Sequence, residues 1–120
     1  MDPYVLCHNP RCSKSREALD FLRSRGIEPT VFEYLKHPPH CAEIERVANA
    51  IGEPVKSMMR SNEPEFKTLG LDAPGVSDAA LYAAMAGYPR LIQRPILVHG
   101  DRAVVGRPPE RLLELIEQAN

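Results

Sequence analysis

A short apolar run, Tyr4-Val5-Leu6-Cys7, gives way at once to the polar segment His8-Asn9-Pro10-Arg11-Cys12-Ser13-Lys14-Ser15-Arg16. The run has the length and composition of a buried strand. The segment leads into Glu17-Ala18-Leu19-Asp20-Phe21-Leu22, whose apolar residues recur at helical spacing. Cys12 therefore falls where a strand ends and a helix begins. Backbone N–H groups at a helix start lack intrahelical partners, and the helix dipole adds partial positive charge there. Both favour a thiolate over a thiol. Arg11, Lys14 and Arg16 add formal positive charge in sequence. The same donors suit a tetrahedral oxyanion. Most cysteines in such chains are small buried hydrophobes, and that reading suits Cys7 inside the apolar run. It does not suit Cys12 among polar neighbours.

A chain of 120 residues fits one domain, 1–120, and is long enough to bury a core without staples. Apolar residues make up 43% and charged residues 26%, as in an ordinary globular protein. A formal net charge of −1 gives no bulk attraction to nucleic acid or to an anionic membrane. No run of 18 apolar residues and no signal-peptide pattern at Met1-Asp2-Pro3-Tyr4 is present, so a cytoplasmic location is expected. Three cysteines separated by 5 and 29 residues form neither a disulfide framework nor a zinc pattern. No bound metal or cofactor is expected.

After the first strand, helix one is expected from Ser13 to Arg25, ending at Gly26, with Ala18, Leu19 and Leu22 inward. Thr30-Val31-Phe32-Glu33-Tyr34 reads as a second strand. Strand, helix and strand at this spacing form a βαβ unit, so the strands should be parallel. From about residue 40 to 90 the pattern is helical. Ile44, Val47, Ala48 and Ile51 mark one helix ending at Gly52, and short helical pieces follow at Pro54–Arg60 and Glu63–Leu71. Ser77-Asp78 caps another helix with Leu81, Ala84, Met85 and Tyr88 as its stripe. Pro95-Ile96-Leu97-Val98-His99 and Ala103-Val104-Val105 flank Gly100-Asp101 as a hairpin. Pro108-Pro109 opens a last helix with Leu112, Leu113, Ile116 and Ala119 inward. His37, His40 and His99 belong to no constellation and read as surface, and Cys41 reads as incidental. The order gives an α/β fold: a mixed four-stranded sheet with flanking helices and a helical insertion at about 40–90. It resembles the thioredoxin-like arrangement, with the reactive cysteine at the first strand-to-helix junction.

The segment His8 to Arg16, with Arg94-Pro95-Ile96 and Gly106-Arg107-Pro108-Pro109-Glu110 downstream, resembles the glutaredoxin-linked arsenate reductase family over essentially the whole chain. It is similar to the compact, chromosomally encoded relatives. The resemblance implies an oxidoreductase that reduces arsenate to arsenite. In that family the cysteine attacks arsenate with loss of water, glutathione attacks next, glutaredoxin supplies the following electrons, and arsenite leaves. Cys12 matches the nucleophile, and Arg60, Arg94 and Arg107 match the arginines that bind the oxyanion. His8 matches a residue that helps to lower the cysteine's pKa. The expected partners are arsenate or a similar oxyanion, glutathione as co-substrate and glutaredoxin, with no nucleic acid or membrane and the chain a monomer.

The residues themselves are compatible with that chemistry. A thiolate attacking a dianion brings two negative species together, so cations must offset the repulsion. Arginine does so with a planar fork that never deprotonates. Closeness to Cys12 suggests a charge-pair role for His8. Ser15, three residues beyond Cys12, is placed to donate a hydrogen bond to its sulfur. The Cys-x5-Arg spacing of low-molecular-weight phosphatases is absent, since Arg16 lies only four residues on. A dithiol reductase needs Cys-x-x-Cys, and the fourth position here is Ser15. Two alternatives stay open. One is a monothiol glutathione-linked oxidoreductase with another substrate. The other is a redox-type regulator that binds RNA polymerase.

Overall fold

The computed structural model describes residues 3–116. Strand β1 (Tyr4–Cys7) leads into helix α1 (Ser13–Ser24), and β2 (Thr30–Phe32) follows. Helices α2 (Cys41–Ile51), α3 (Pro64–Thr68) and α4 (Asp78–Gly87) come next, with short 3-10 turns at Val55–Met58 and Pro89–Leu91. The hairpin β3 (Ile96–His99) and β4 (Arg102–Val105) precedes a 3-10 turn at Pro109–Leu112 and α5 (Leu113–Ile116). The four strands form one sheet in the order β2-β1-β3-β4. β1 and β2 are parallel, and β3 is antiparallel to both β1 and β4. This is the mixed sheet of a thioredoxin-like fold.

Strand residues alternate between faces, so the register assigns each side chain to a layer. Leu6, Leu97 and Val104 lie in one row across the sheet and pack with Ala18 and Leu22 of α1 and with Leu112, Leu115 and Ile116. Cys7, Ile96 and Val105 form the next row, on the opposite face. That row joins the larger core of Tyr34, Ile44, Ala48, Met58, Leu81, Met85 and Leu91. The helical insertion thus covers one face while α1 and the C-terminal turns cover the other.

Local chemistry sets most element ends. Gly26 takes a φ of 78° just past α1, and Gly52 takes 73° just past α2, a conformation that favours glycine. Glu43 accepts a hydrogen bond from His40 N–H at the start of α2, 3.0 Å long. Ser77 Oγ accepts from Ala80 N–H at 3.2 Å and caps α4.

Several expectations need correction. β2 stops at Phe32, because the Glu33 carbonyl turns the chain by accepting from both Lys36 and His37 N–H groups. Tyr34 therefore lies beyond the strand. Tyr88 is 46% exposed and does not join the stripe of α4, since the helix ends at Gly87 and the chain changes direction there. At the C-terminus Leu112, Leu115 and Ile116 are buried, and Leu113 only partly. The tighter 3-10 turn advances the buried face by three residues per turn. Ala119 lies outside the described residues. His99 is half-buried and stacks on Tyr4, with ring centroids 4.0 Å apart.

Leu97 is fully buried in the central row. Leu97→Ala should lower unfolding stability by about 2–5 kcal/mol, read by chemical denaturation, because the surrounding side chains collapse only partly into the gap.

Candidate active site

The strand register also decides what meets at the sheet's active edge. Cys7 pairs with Ile96, and Ile96 pairs with Val105. β1 therefore ends where β3 begins and where β4 ends. The segments just beyond those points, 8–12, 94–95 and 106–107, emerge side by side. Gly106 N–H donates to the Pro95 carbonyl at 2.9 Å, and Arg107 Nε donates to the Arg94 carbonyl at 2.8 Å. A Cβ at Gly106 would lie 3.0 Å from Leu112 Cδ2 and 3.2 Å from Pro95 Cγ, so any larger residue would require those side chains to give by a few tenths of an ångström. Arg60 arrives by another route. Met59 bridges Ile92, Arg60 N–H donates to the Leu91 carbonyl at 2.7 Å, and Gln93 N–H donates to the Met58 carbonyl at 2.7 Å. These bonds hold residue 60 opposite residue 91 and residue 58 opposite residue 93.

Cys12 occupies the N-cap position of α1, with extended φ and ψ of −96° and 123°. Its N–H donates to the Asn9 carbonyl, and its carbonyl accepts from Arg16 N–H, each at 3.0 Å. The first turn of α1 carries no acidic side chain. The sulfur stands where a capping carboxylate or hydroxyl would. Burial alone would raise its pKa. A hydrogen bond from Arg94, the charge of Arg94, and the backbone N–H groups of Ser15 and Lys14 outweigh burial and bring it down to about 7. The two N–H groups help as nearby dipoles, short of a full capping bond. Arg107 Nη2 stands 4.0 Å from Sγ, long even for a contact to sulfur, and it is Arg94 whose charge lowers the thiol's pKa.

This differs from the sequence expectation about which cations matter. Arg11, Lys14 and Arg16 are close in sequence but exposed. Lys14 pairs with Glu17, and Arg16 donates to the Pro10 carbonyl at 2.8 Å. None of these three side-chain charges contributes to the shift at Cys12, to which Lys14 adds only its backbone N–H. The guanidinium that holds the thiolate comes from 82 residues down the chain. The Arg60 guanidinium pairs with Glu63, and Arg60 is not among the groups that shift Cys12. It lies near enough to act on the Tyr34 hydroxyl, which places it on the same side of the site.

The expected charge-pair role of His8 does not fit its surroundings. His8 is buried, and its Nδ1 lies 2.6 Å from Ser15 Oγ. Burial lowers its pKa most. Glu33 pulls it up, while Arg16 and Arg23 push it down, and the net result is below the ordinary value. The ring is therefore neutral near pH 7 and brings no positive charge to Cys12. Ser15 is fully buried, and its hydroxyl also accepts from Asn9 N–H at 3.1 Å. The hydroxyl thus serves the loop, and it is the Ser15 backbone N–H that favours the thiolate. His8 and Ser15 form a neutral pair that fixes the turn carrying Cys12.

The other thiols stand apart from this chemistry. Cys7 lines an apolar cavity of about 670 Å³ with Val5, Phe32, Ile44 and Val98, and burial pushes its thiol up to about 12. Cys41 is exposed at the start of α2. Among the described residues no three His, Cys, Asp or Glu side chains gather as metal ligands would. Tyr34 is the group at this edge that the sequence did not reveal. It reads as one more aromatic in a strand, and nothing in its neighbours signals that its hydroxyl reaches Arg94.

The sequence model of the ArsC family matches residues 7–115. The chain belongs to the ArsC family. It is 41% identical to an arsenate reductase of Haemophilus influenzae over 113 residues, covering 93% of this chain and 97% of that protein. It is 44% identical to an arsenate reductase of Neisseria meningitidis serogroup A, also over 113 residues and with the same shares covered. An arsenate reductase structure from Vibrio cholerae superposes with a TM-score of 0.89 at 47% identity, covering 92% of this chain and 95% of that one. The ArsC family is one of oxidoreductases, and the matched region includes Cys12, Arg60, Arg94 and Arg107.

The electrostatics of this site can be read from the reactivity of its thiol. Cys12 alkylation by iodoacetamide should rise with pH around a midpoint near 7, where a free cysteine titrates at about 8.5. Because folding depresses this pKa, the stability it adds is present above the unfolded thiol's midpoint and is lost as pH falls through about 7. Arg94→Ala should move the alkylation midpoint up toward the free-thiol value, while Arg11→Ala and Lys14→Ala leave it nearly unchanged.

Proposed function

We propose that this ArsC-family chain is a glutathione- and glutaredoxin-dependent arsenate reductase with Cys12 as nucleophile. The observation that carries this reading is a thiol with a pKa near 7 at a helix start, faced by two arginines from distant parts of the chain. At neutral pH about half of such a sulfur is ionised. A thiol whose pKa lies near the ambient pH balances thiolate fraction against nucleophilicity.

Arsenate approaches as a tetrahedral anion. Arg94 and Arg107 offset its repulsion with the sulfur, and their forked donors match its oxygens. Thiolate attack forms a Cys12 Sγ–As bond, and one arsenate oxygen leaves as water after taking up protons. Arg60, paired with Glu63 and near enough to act on the Tyr34 hydroxyl, is placed to meet a later anionic intermediate. Position 15 is serine, so no neighbouring thiol is in place to resolve the adduct. Glutathione attacks next, and glutaredoxin supplies the following electrons. Arsenic gains two electrons overall and leaves as arsenite. Such a reaction suits a monomer in the cytoplasm, where low-molecular-weight thiols are kept reduced. Among the described residues, no helix is long and apolar enough to cross a membrane.

Cys12→Ser should abolish arsenite formation in an assay coupled to glutathione and glutaredoxin, while Cys7→Ser and Cys41→Ser keep most of it. Equal activity in all three variants would remove Cys12 as the nucleophile. Arg94→Ala or Arg107→Ala should raise the arsenate KM, and lysine at either position should restore it only in part, because an ammonium lacks the fork.

A further inference from the structure

Tyr34 is 1% exposed, and its hydroxyl oxygen is one of three buried side-chain polar atoms without a hydrogen-bond partner among the described residues. A second is Arg94 Nε. The two side chains are neighbours. The Arg94 guanidinium is close enough to influence the phenol's titration, although the pair falls short of a well-formed hydrogen bond. Arg60 and Cys12 also act on that hydroxyl through their charges. Tyr34 therefore stands among the groups that surround the reactive sulfur.

The chemistry of the pair gives the phenol a direction. Arginine has donors and no acceptor. Beside it, the phenol oxygen turns its lone pairs toward the guanidinium and its O–H away, in search of an acceptor. Buried polar groups without partners are costly, and native proteins keep few of them. Two unpartnered groups on interacting side chains, at the edge where Cys12, Arg94 and Arg107 converge, mark a place where an acceptor belongs. The second row of the sheet and the insertion fix the ring, since Tyr34 belongs to the same core as Ile44, Met58, Ile92 and Ile96. The turn at Glu33 carries it out of the strand, and Arg94 acts on its hydroxyl.

We propose that the Tyr34 hydroxyl is a further oxyanion-binding group, donating a hydrogen bond to an oxygen of the tetrahedral anion that Arg94 and Arg107 hold beside Cys12. This rests on the arsenate reading and adds to it a neutral donor. Burial pushes the phenol up to about 12, against the pull of Arg94, so it remains protonated throughout the range in which Cys12 ionises. A neutral donor adds a bond to the anion without adding cationic charge to a site that already gathers guanidiniums.

Tyr34→Phe keeps the ring and removes only the oxygen. In a Cys7→Ser, Cys41→Ser background, Cys12 alkylation would be titrated with arsenate and, separately, with inorganic phosphate. The concentration that half-protects Cys12 should rise about tenfold or more in Tyr34→Phe for both anions, as expected for a lost bond to a charged acceptor. The alkylation midpoint in the absence of anion should stay near that of the parent. p-Aminophenylalanine placed at position 34, which restores a donor, should recover part of the protection. Unchanged half-protection in Tyr34→Phe would overturn the proposal while leaving the arsenate reading intact. Protection by phosphate but not arsenate in the parent would count against the arsenate reading, and the phosphate arm would still decide Tyr34. Protection by neither anion would overturn both. Should Tyr34→Phe fail to fold, the 13Cζ resonance of Tyr34 in the parent chain gives the answer: it should move on adding phosphate, and a fixed resonance would refute the donor role.

Discussion

A sulfur anion at the mouth of α1 is opposed by its own burial and sustained by a guanidinium from the far end of the chain. That balance is what the architecture is arranged around. Burial raises the pKa of any thiol, and two backbone N–H groups at a helix start are modest dipoles. The charge-assisted hydrogen bond from Arg94 is the strong contribution. Arg94 can make it only because the residues before β3 emerge next to those after β1. The antiparallel register of two four-residue strands thus sets the reactivity of a side chain outside both of them.

The division of the sheet into two faces keeps this arrangement rigid. On one side, α1 packs Ala18 and Leu22 on the row containing Leu6 and Leu97, which anchors the helix whose N-terminus bears Cys12. On the other, the helical insertion buries Tyr34 and brings the 58–60 segment against 91–93. His8 and Ser15 form an uncharged, mutually bonded pair in the turn that carries the sulfur. Keeping that pair neutral leaves the positive charge to the arginines.

One reactive thiol with no thiol neighbour is also a statement about partners. Cys7 is turned to the other face of the sheet among apolar side chains, where its thiol is inert. The proposed function accordingly takes its reductant from outside the chain. This is compatible with the ArsC family to which the chain belongs, and with the arsenate reductases it resembles over more than nine-tenths of its length.

The order of strands and helices, the hairpin at Gly100-Asp101, and the exceptional position of Cys12 could all be read from periodicity, turn residues and the switch from apolar to polar at Cys7. These are local patterns, and short-range sterics and burial determine them. The same reasoning overextended β2 through Tyr34 and the stripe of α4 to Tyr88, because periodicity does not say where the chain turns. It credited the neighbours Arg11, Lys14 and Arg16 with the charge at Cys12, and it gave His8 a cation's role. Proximity in sequence is a poor guide to field strength once exposed side chains can turn to solvent or to Glu17 and the Pro10 carbonyl. By itself the sequence determined that this would be a thioredoxin-like fold with a cysteine at its first strand-to-helix junction. Only the tertiary structure decided which guanidinium holds that cysteine's charge, that His8 stays neutral, and that the hydroxyl of Tyr34 reaches the site. Electrostatic coupling depends on distances and burial, and those are fixed by the pairing of strands far apart in the chain.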